Sequence, residues 1–356
     1  MKRRSFIKKS SSAGLLTMSL PVIPSFSTTV SEMRFGIAEA SYMQRRYAKL
    51  DSKSYPPFTD SLQMIEHCST AGFGGVQFSV RGWDASYAKK VKERVEELEL
   101  FFEGQIRLPK DDSDLQRFTT EVTAAKEAGA DILRTACLSG RRYETFDSMS
   151  AFQEFRKKSI YSLRLAEPVV RRYGVKLAVE NHKDWRIAEM IEILKLIDSE
   201  WVGVTLDTGN NISLLEDPME VVEALAPYAF TVHLKDMAIE EYEDGFLMAE
   251  INLGDGILDV DKMISIIRKH NPDIRFNLEM ITRDPLKIPY LTQGYWATFD
   301  ELPASELARF LYKIKKEESS APLMVVSKNP ADEILALEIA NNKASLKYAR
   351  QRLGFS

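Results

Sequence analysis

Several things are scarce in this 356-residue chain, and each scarcity removes a class of protein. There are two cysteines, Cys68 and Cys137, far apart and in no C-x-x-C pair, which excludes a disulfide framework, a zinc ribbon and a dithiol redox motif. The first hydrophobic run, FGIAEASY, is not followed by G-x-G-x-x-G, so the main signature of a doubly wound dinucleotide-binding sheet is missing. An excess of positive charge is missing outside the N-terminus: the formal net charge is −4, and Lys2, Arg3, Arg4, Lys8 and Lys9 all precede the first acid, Glu32, which leaves the rest of the chain at −9. So acidic a body is a poor partner for nucleic acid, whose affinity rests on phosphate neutralisation. A small molecule or a metal ion fits better. With 44% hydrophobic and 28% charged residues, the chain can bury a large core and is not a disordered or fibrous one.

The N-terminus reads as an address. MKRRSFIKK followed by SSSAGLLTMSLPVIPSFS has a basic start, a weakly apolar middle and small residues near its end, which is the layout of an export signal. Arg3, Arg4, Ser5, Phe6, Ile7 and Lys8 resemble the twin-arginine translocation motif. The apolar middle is broken by Ser19, Pro21 and Pro24 and falls short of the roughly 20 residues that span a bilayer, so no stable membrane anchor is expected. Residues 1–27 are expected to be removed on export by the twin-arginine machinery, leaving a periplasmic or otherwise exported protein.

From residue 33 onward, β-rich runs alternate with amphipathic stretches. Strands are expected at Arg34 to Ala38, Gly75 to Val80, Leu98 to Gln105, Asp131 to Ala136, Val175 to Glu180, Val202 to Asp207, Phe230 to Leu234 and Arg275 to Met280. Helices are expected between and after them: Asp60 to Thr70, Ala85 to Leu98, Asp114 to Ala128, Ala151 to Tyr173, Trp185 to Ile197, Pro218 to Leu225, Val260 to His270 and Ala304 to Lys316, with Asp60, Asp184 and Asp259 as N-caps. Eight β/α units with no internal Pro/Gly/Ser linker predict one (β/α)8 TIM barrel over residues 33–316, of α/β class. Residues 317–356 form a C-terminal extension with an extra helix from Asp332 to Arg352, expected to pack on the barrel or to serve a homo-oligomer contact.

The last four strands each end in a metal-ligating residue: Glu180 in KLAVENH, Asp207 in VGVTLDTGN, His233 in FTVHLKD and Glu279 in RFNLEM. Strand alternation places each of them opposite the bulky apolar residues, on the face shared with Ala178, Gly203 and Thr205, Thr231, and Asn277 respectively. All four are therefore expected at the C-terminal mouth of the barrel, where sites in this fold sit. Two Glu, one Asp and one imidazole form an oxygen-rich set suited to Mn²⁺ or Mg²⁺, with Co²⁺ or Zn²⁺ admitted by the histidine.

In their order, the ENH, LDTGN, HLKD, GDGILD and NLEM segments resemble the xylose isomerase-like barrel superfamily, often labelled sugar phosphate isomerases/epimerases, over roughly residues 33–315. The resemblance implies Glu180, Asp207, His233 and Glu279 as ligands of a divalent metal. It also implies Glu180 and Glu279 as the acid/base pair that moves a proton beside a sugar carbonyl through an enediolate. No phosphate-cradling loop is present, so the expected substrate is an unphosphorylated sugar or sugar derivative. The same site would equally serve a 3-keto-glycoside lyase or deglycosidase, and a sugar-binding protein that keeps its metal for structure is the non-enzymatic alternative. Asn210 stands where ketose 3-epimerases of this superfamily carry a substrate-binding histidine, which counts against a free-ketose 3-epimerase.

His182 and Lys235, each two residues past a ligand, are expected to reach substrate together with Asn210, Arg283 and Trp296; Tyr290 and Tyr295 are candidates for the same cleft, and Asp255 for an approach to the site. The long interval between His233 and Glu279 is expected to hold a lid. His67 and His270 read as structural histidines.

Overall fold

The computed structural model describes residues 33–48, 50–299, 301–317, 319 and 321–356. The expected export signal, residues 1–27, lies outside the described residues.

The strands are β1 (Phe35–Ala38), β2 (Gly75–Ser79), β3 (Phe101–Gln105), β4 (Ile132–Thr135), β5 (Lys176–Glu180), β6 (Val202–Asp207), β7 (Ala229–Leu234), β8 (Asp236–Tyr242), β9 (Gly245–Ile251), β10 (Arg275–Leu278) and β11 (Leu286–Ile288). Eight of them close a parallel barrel in the order β1-β10-β7-β6-β5-β4-β3-β2. Closure runs through β1, whose Ile37 stands opposite Leu278 on one side and Val76 on the other. This is a TIM barrel. Its helices are α1 (Met43–Tyr47), α2 (Ser61–Ala71), α3 (Ala85–Glu97), α4 (Leu115–Glu127), α5 (Arg142–Thr145), α6 (Met149–Tyr173), α7 (Ile187–Ile197), α8 (Pro218–Leu225), α9 (Val260–His270), α10 (Ala304–Lys316) and α11 (Ala331–Arg352).

The alternation that predicts the strands also divides the core. Val76, Phe78, Leu177, Val179, Val204, Leu206, Val232, Leu234, Phe276 and Leu278 are fully buried, and a side chain of this kind contributes about 1.5–3 kcal/mol on burial. The opposite faces carry Gln77, Glu103, Thr231 and Asn277, also fully buried. The polar barrel interior is tied together at one oxygen: Oε2 of Glu103 accepts from Gln77 (2.9 Å), Thr231 (2.8 Å) and Asn277 (3.0 Å), while Glu103 Oε1 and Asn277 Oδ1 have no hydrogen-bond partner among the described residues.

Three local expectations are corrected. β3 begins at Phe101, not Leu98, because Leu98 ends α3 and Glu99 takes a left-handed φ of 54°. Asp184 does not cap α7: the helix starts at Ile187, where Glu189 accepts from the Arg186 backbone N–H (2.8 Å), while Asp184 accepts from the Leu138 N–H (3.2 Å). Asp60 and Asp259 do cap, accepting from Gln63 (2.9 Å) and Lys262 (3.1 Å). Third, the interval after His233 contains the antiparallel hairpin β8–β9, completed by β11 into a three-stranded sheet. Asp244-Gly245 between alternating apolar residues was the available signal for it.

Asp236 shapes the connection after this hairpin. Its carboxylate accepts from the N–H groups of Gly254, Gly256 and Leu258 at 3.0–3.1 Å. Gly256 is required there, since a Cβ would lie 2.1 Å from Asp236 Oδ1. Asp255, proposed above as an approach to the site, is instead exposed and accepts from Asn252 (3.2 Å).

α11 packs on the barrel. Glu338 accepts from the backbone N–H groups of Gln44 (2.7 Å) and Arg45 (3.1 Å), Asn342 donates to the carbonyl of Ser41 (2.7 Å), and the Phe355 ring lies 4.6 Å from that of Phe35. No helix among the described residues is long and apolar enough to cross a membrane.

Candidate metal centre and active site

Glu180 ends β5, Asp207 ends β6, His233 is the penultimate residue of β7, and Glu279 follows the last residue of β10. Parallel register does the rest: Asp207 stands opposite His233, which stands opposite Asn277, and the Glu279 N–H donates to Leu234 O (3.0 Å), continuing the ladder one residue past the strand. All four side chains are buried and offer ligand atoms within 4.8 Å of one another. They are the four residues that strand alternation placed at the barrel mouth.

His233 decides what the cluster can hold. Its Nε2 lies 2.7 Å from Gln77 Oε1, and Gln77 Nε2 donates to Glu103 Oε2 at 2.9 Å. A carboxylate oxygen with three donors on it takes the amide's NH₂, so Gln77 turns its carbonyl to the imidazole. The histidine proton must then sit on Nε2. That leaves a lone pair on Nδ1, which has no hydrogen-bond partner and lies 3.3 Å from Glu279, 3.5 Å from Glu180 and 3.9 Å from Asp207. An orphaned imidazole nitrogen facing three carboxylates is a site that could hold a divalent metal ion.

The charges agree. Burial and the like charges of Glu279 and Glu180 push the Asp207 carboxyl up to about 6, in spite of the Lys235 ammonium 2.8 Å away. Three carboxylates this close repel one another, and a dication relieves that repulsion. Meanwhile the cations nearby hold the two glutamates ionised against burial. Arg134 (Nε to Oε2, 2.6 Å) keeps Glu180 well below the usual carboxylate range, and Lys235 brings Glu279 to about 2; the same carboxylates raise His233, so that without a metal ion a proton takes the place on Nδ1 that the ion would fill.

Asn210 donates to Glu180 Oε1 (2.9 Å) and accepts on Oδ1 from both Lys235 (3.3 Å) and Lys183. Lys235, expected to reach substrate hydroxyls, instead bridges Asp207 and Glu279. His182 has an unpartnered Nδ1 and is pushed down to about 3, first by burial and then by Lys183, so it is neutral. Arg283 pairs with Glu250 of β9 (Nε to Oε2, 3.1 Å), tying the hairpin to the loop after Glu279. Trp296 does not join the cluster: its indole N–H donates to Tyr290 O (2.7 Å), and its ring packs on Tyr295 and Phe299. Tyr295 donates to Ser213 O (2.8 Å) and stacks on Phe299. These aromatics are packing.

Sequence reasoning missed Gln77, Glu103, Arg134, Lys183 and Glu250. The signal for the first two was the parity already used for β5–β7, since Gln77 lies between Val76 and Phe78 and Glu103 follows two phenylalanines. Arg134 stood out as a cation inside DILRTA. Lys183 and Glu250 carry no pattern of their own.

Residues 65–314 match the family model described as xylose isomerase-like TIM barrel. A 3-oxo-isoapionate decarboxylase of Pectobacterium atrosepticum is 26% identical over 217 residues, 59% of this chain and 74% of that protein. Among solved structures, a D-psicose 3-epimerase crystallised in the presence of D-fructose is 12% identical with a TM-score of 0.58, covering 90% of this chain and 100% of its own. The 3-keto-D-glucoside 4-epimerase of E. coli is 15% identical with a TM-score of 0.53, covering 80% of this chain and 100% of its own. The chain belongs to the xylose isomerase-like TIM barrel family, whose relatives found here include epimerases and a decarboxylase.

Proposed function

We propose that this protein is a divalent-metal-dependent isomerase or epimerase of an unphosphorylated sugar or sugar derivative, exported through the twin-arginine pathway and working with Mn²⁺. The observation that carries the reading is the His233 Nδ1 lone pair aimed into three buried carboxylates. A metal bound there would polarise a substrate carbonyl and lower the cost of negative charge on its oxygen. Glu180 and Glu279, on β5 and just past β10, flank the cluster; one removes the proton from the carbon beside the carbonyl and the other returns a proton to the neighbouring carbon or to the opposite face. Asn210 orients Glu180, and Gln77 orients His233.

A second reading keeps the site and changes the outcome: a glutamate removes the proton beside the ketone of a 3-keto-glycoside, and the enolate so formed expels the aglycone, which leaves with its bonding electrons and takes up a proton. In a keto sugar acid the bond to the carboxylate breaks instead, CO₂ leaving and its electron pair forming the enolate; that variant needs no carboxylate base, and it is favoured by the buried cations that weaken both glutamates as bases and by the decarboxylase among the relatives.

The test supplies the Mn²⁺-loaded protein with unphosphorylated ketoses, 3-keto-glucosides and keto sugar acids with the carboxylate beside the ketone carbon in D₂O, with Glu279→Gln as control. Deuterium in intact sugar, falling by about 10²-fold or more in the variant, is the expected result. Released aglycone or CO₂ without label in intact sugar establishes the second reading. Turnover by Glu279→Gln at the wild-type rate removes the acid/base role.

A further inference from the structure

Lys183 is buried and, among the described residues, forms no ion pair with a carboxylate; its ammonium donates to the Asn210 carbonyl oxygen. The other cations around the cluster are all paired. Arg134 holds Glu180, Lys235 holds Asp207 and Glu279, and Arg283 holds Glu250. Four carboxylates and four cations therefore surround the barrel mouth, and Lys183 is the member of that set without an acid of its own. A buried ammonium lacking a counter-ion is costly. Burial, with Lys235 and Arg283 nearby, pushes it down to about 8.

A divalent ion on the four ligands would leave this balanced set with two positive charges in excess inside a water-poor barrel mouth. A neutral sugar leaves that excess uncompensated, whereas an anionic one offsets it. Lys183 is also one side chain away from the centre, because the amide it contacts donates to Glu180 Oε1. Lys235 reaches the same amide oxygen (3.3 Å) but is committed to Asp207 and Glu279, and Arg283 to Glu250, so one uncommitted ammonium is offered, which suits a carboxylate better than a phosphoryl group with its three oxygens.

We propose that Lys183 is the anion-binding residue of the active site and that the substrate is a keto sugar acid, its carboxylate received by the Lys183 ammonium. The proposal rests on the metal-dependent carbohydrate reading above and narrows its substrate class.

The test is calorimetric titration of the Mn²⁺-loaded full chain with a matched pair of probes: D-fructose and 2-keto-D-gluconate, which is fructose with C1 oxidised to a carboxylate. D-fructose 6-phosphate is a third arm. The keto acid is expected to bind about tenfold more tightly than fructose, the contribution of one desolvated charged hydrogen bond. That preference is expected to vanish in Lys183→Met and to be retained in Lys183→Arg, with Mn²⁺ still bound by both as the check on folding, more tightly by Lys183→Met because one positive charge beside the ligands is gone. Equal or weaker binding of the keto acid, binding of neither probe, tighter binding of the phosphate ester, or a preference that survives Lys183→Met overturns the proposal. Exchange in D₂O separates this from the reaction itself. A Lys183-dependent preference without deuterium uptake keeps the anion site and refutes proton transfer, whereas deuterium uptake into fructose without any preference does the reverse.

Discussion

Gln77 holds the proton of His233 on the side away from the carboxylates: its carbonyl oxygen lies 2.7 Å from Nε2, while its NH₂ is committed to Glu103 at 2.9 Å. Gln77→Leu removes the lock and lets the imidazole turn or change tautomer. Mn²⁺ affinity is expected to fall by about 10–100-fold, the usual cost of losing a partner behind a metal ligand. Calorimetric Mn²⁺ titration measures it, and an unchanged affinity would show that the lock has no role in ligation.

Lys235 is the cation that lets Asp207 and Glu279 lie side by side in the described structure. Lys235→Met leaves buried carboxylates uncompensated, so the metal-free protein is expected to lose about 3–5 kcal/mol. Because a dication supplies the missing charge, the rise in Tm on adding Mn²⁺ is expected to be larger in the variant than in the wild type. Thermal melts with and without Mn²⁺ decide it.

Arg142 holds the 293–298 segment to the barrel wall. Its guanidinium donates to Thr298 Oγ1 (2.9 Å), pairs with Glu189 (2.7 Å) and lies 3.6 Å from the centroid of the Phe152 ring, and its N–H donates to Lys183 O (2.9 Å). Arg142→Ala breaks a buried charged network and is expected to cost about 3–5 kcal/mol. Urea unfolding measures the loss, and a change below 1 kcal/mol would mean the segment is held by its aromatic packing.

Burial pushes the Glu338 carboxyl up to about 7, although two backbone N–H groups hold its oxygens. The unfolded chain releases this proton near pH 4.3, whereas the folded chain keeps it until about 7. The contribution of this group to stability is therefore full below the unfolded value and is lost as pH rises through the folded one. The wild type is expected to lose roughly 1–3 kcal/mol relative to Glu338→Gln between pH 4 and pH 8. Parallel urea titrations at the two pH values test the sign.

The barrel and its four candidate ligands were legible because both depend on short-range periodicity. A β-strand turns successive side chains to opposite faces, so KLAVE, VGVTLD and FTVHL each declare which face takes helices and which carries Glu180, Asp207 or His233. Capping was legible where one side chain serves one helix, at Asp60 and Asp259. It failed at Asp184, whose partner Leu138 comes from another β/α unit. Trp296 and Tyr295 suit either a sugar-lined cleft or packing by residue type, and only the fold shows their rings on each other and on Phe299.

The order of the eight barrel strands, the inward parity of the ligands and the acidity of the body each follow from residue type and a period of a few residues, and so were present in the chain before folding. Which charges meet is settled in three dimensions: Arg134 with Glu180, Lys235 with Asp207 and Glu279, and Lys183 with no acid among the described residues. The physical reason is that these partners lie on different β/α units, dozens of residues apart, and are brought together by the parallel pairing of β4 with β5, β6 with β7 and β7 with β10. Electrostatic pairing depends on that distance in space, and no periodicity in the chain encodes it.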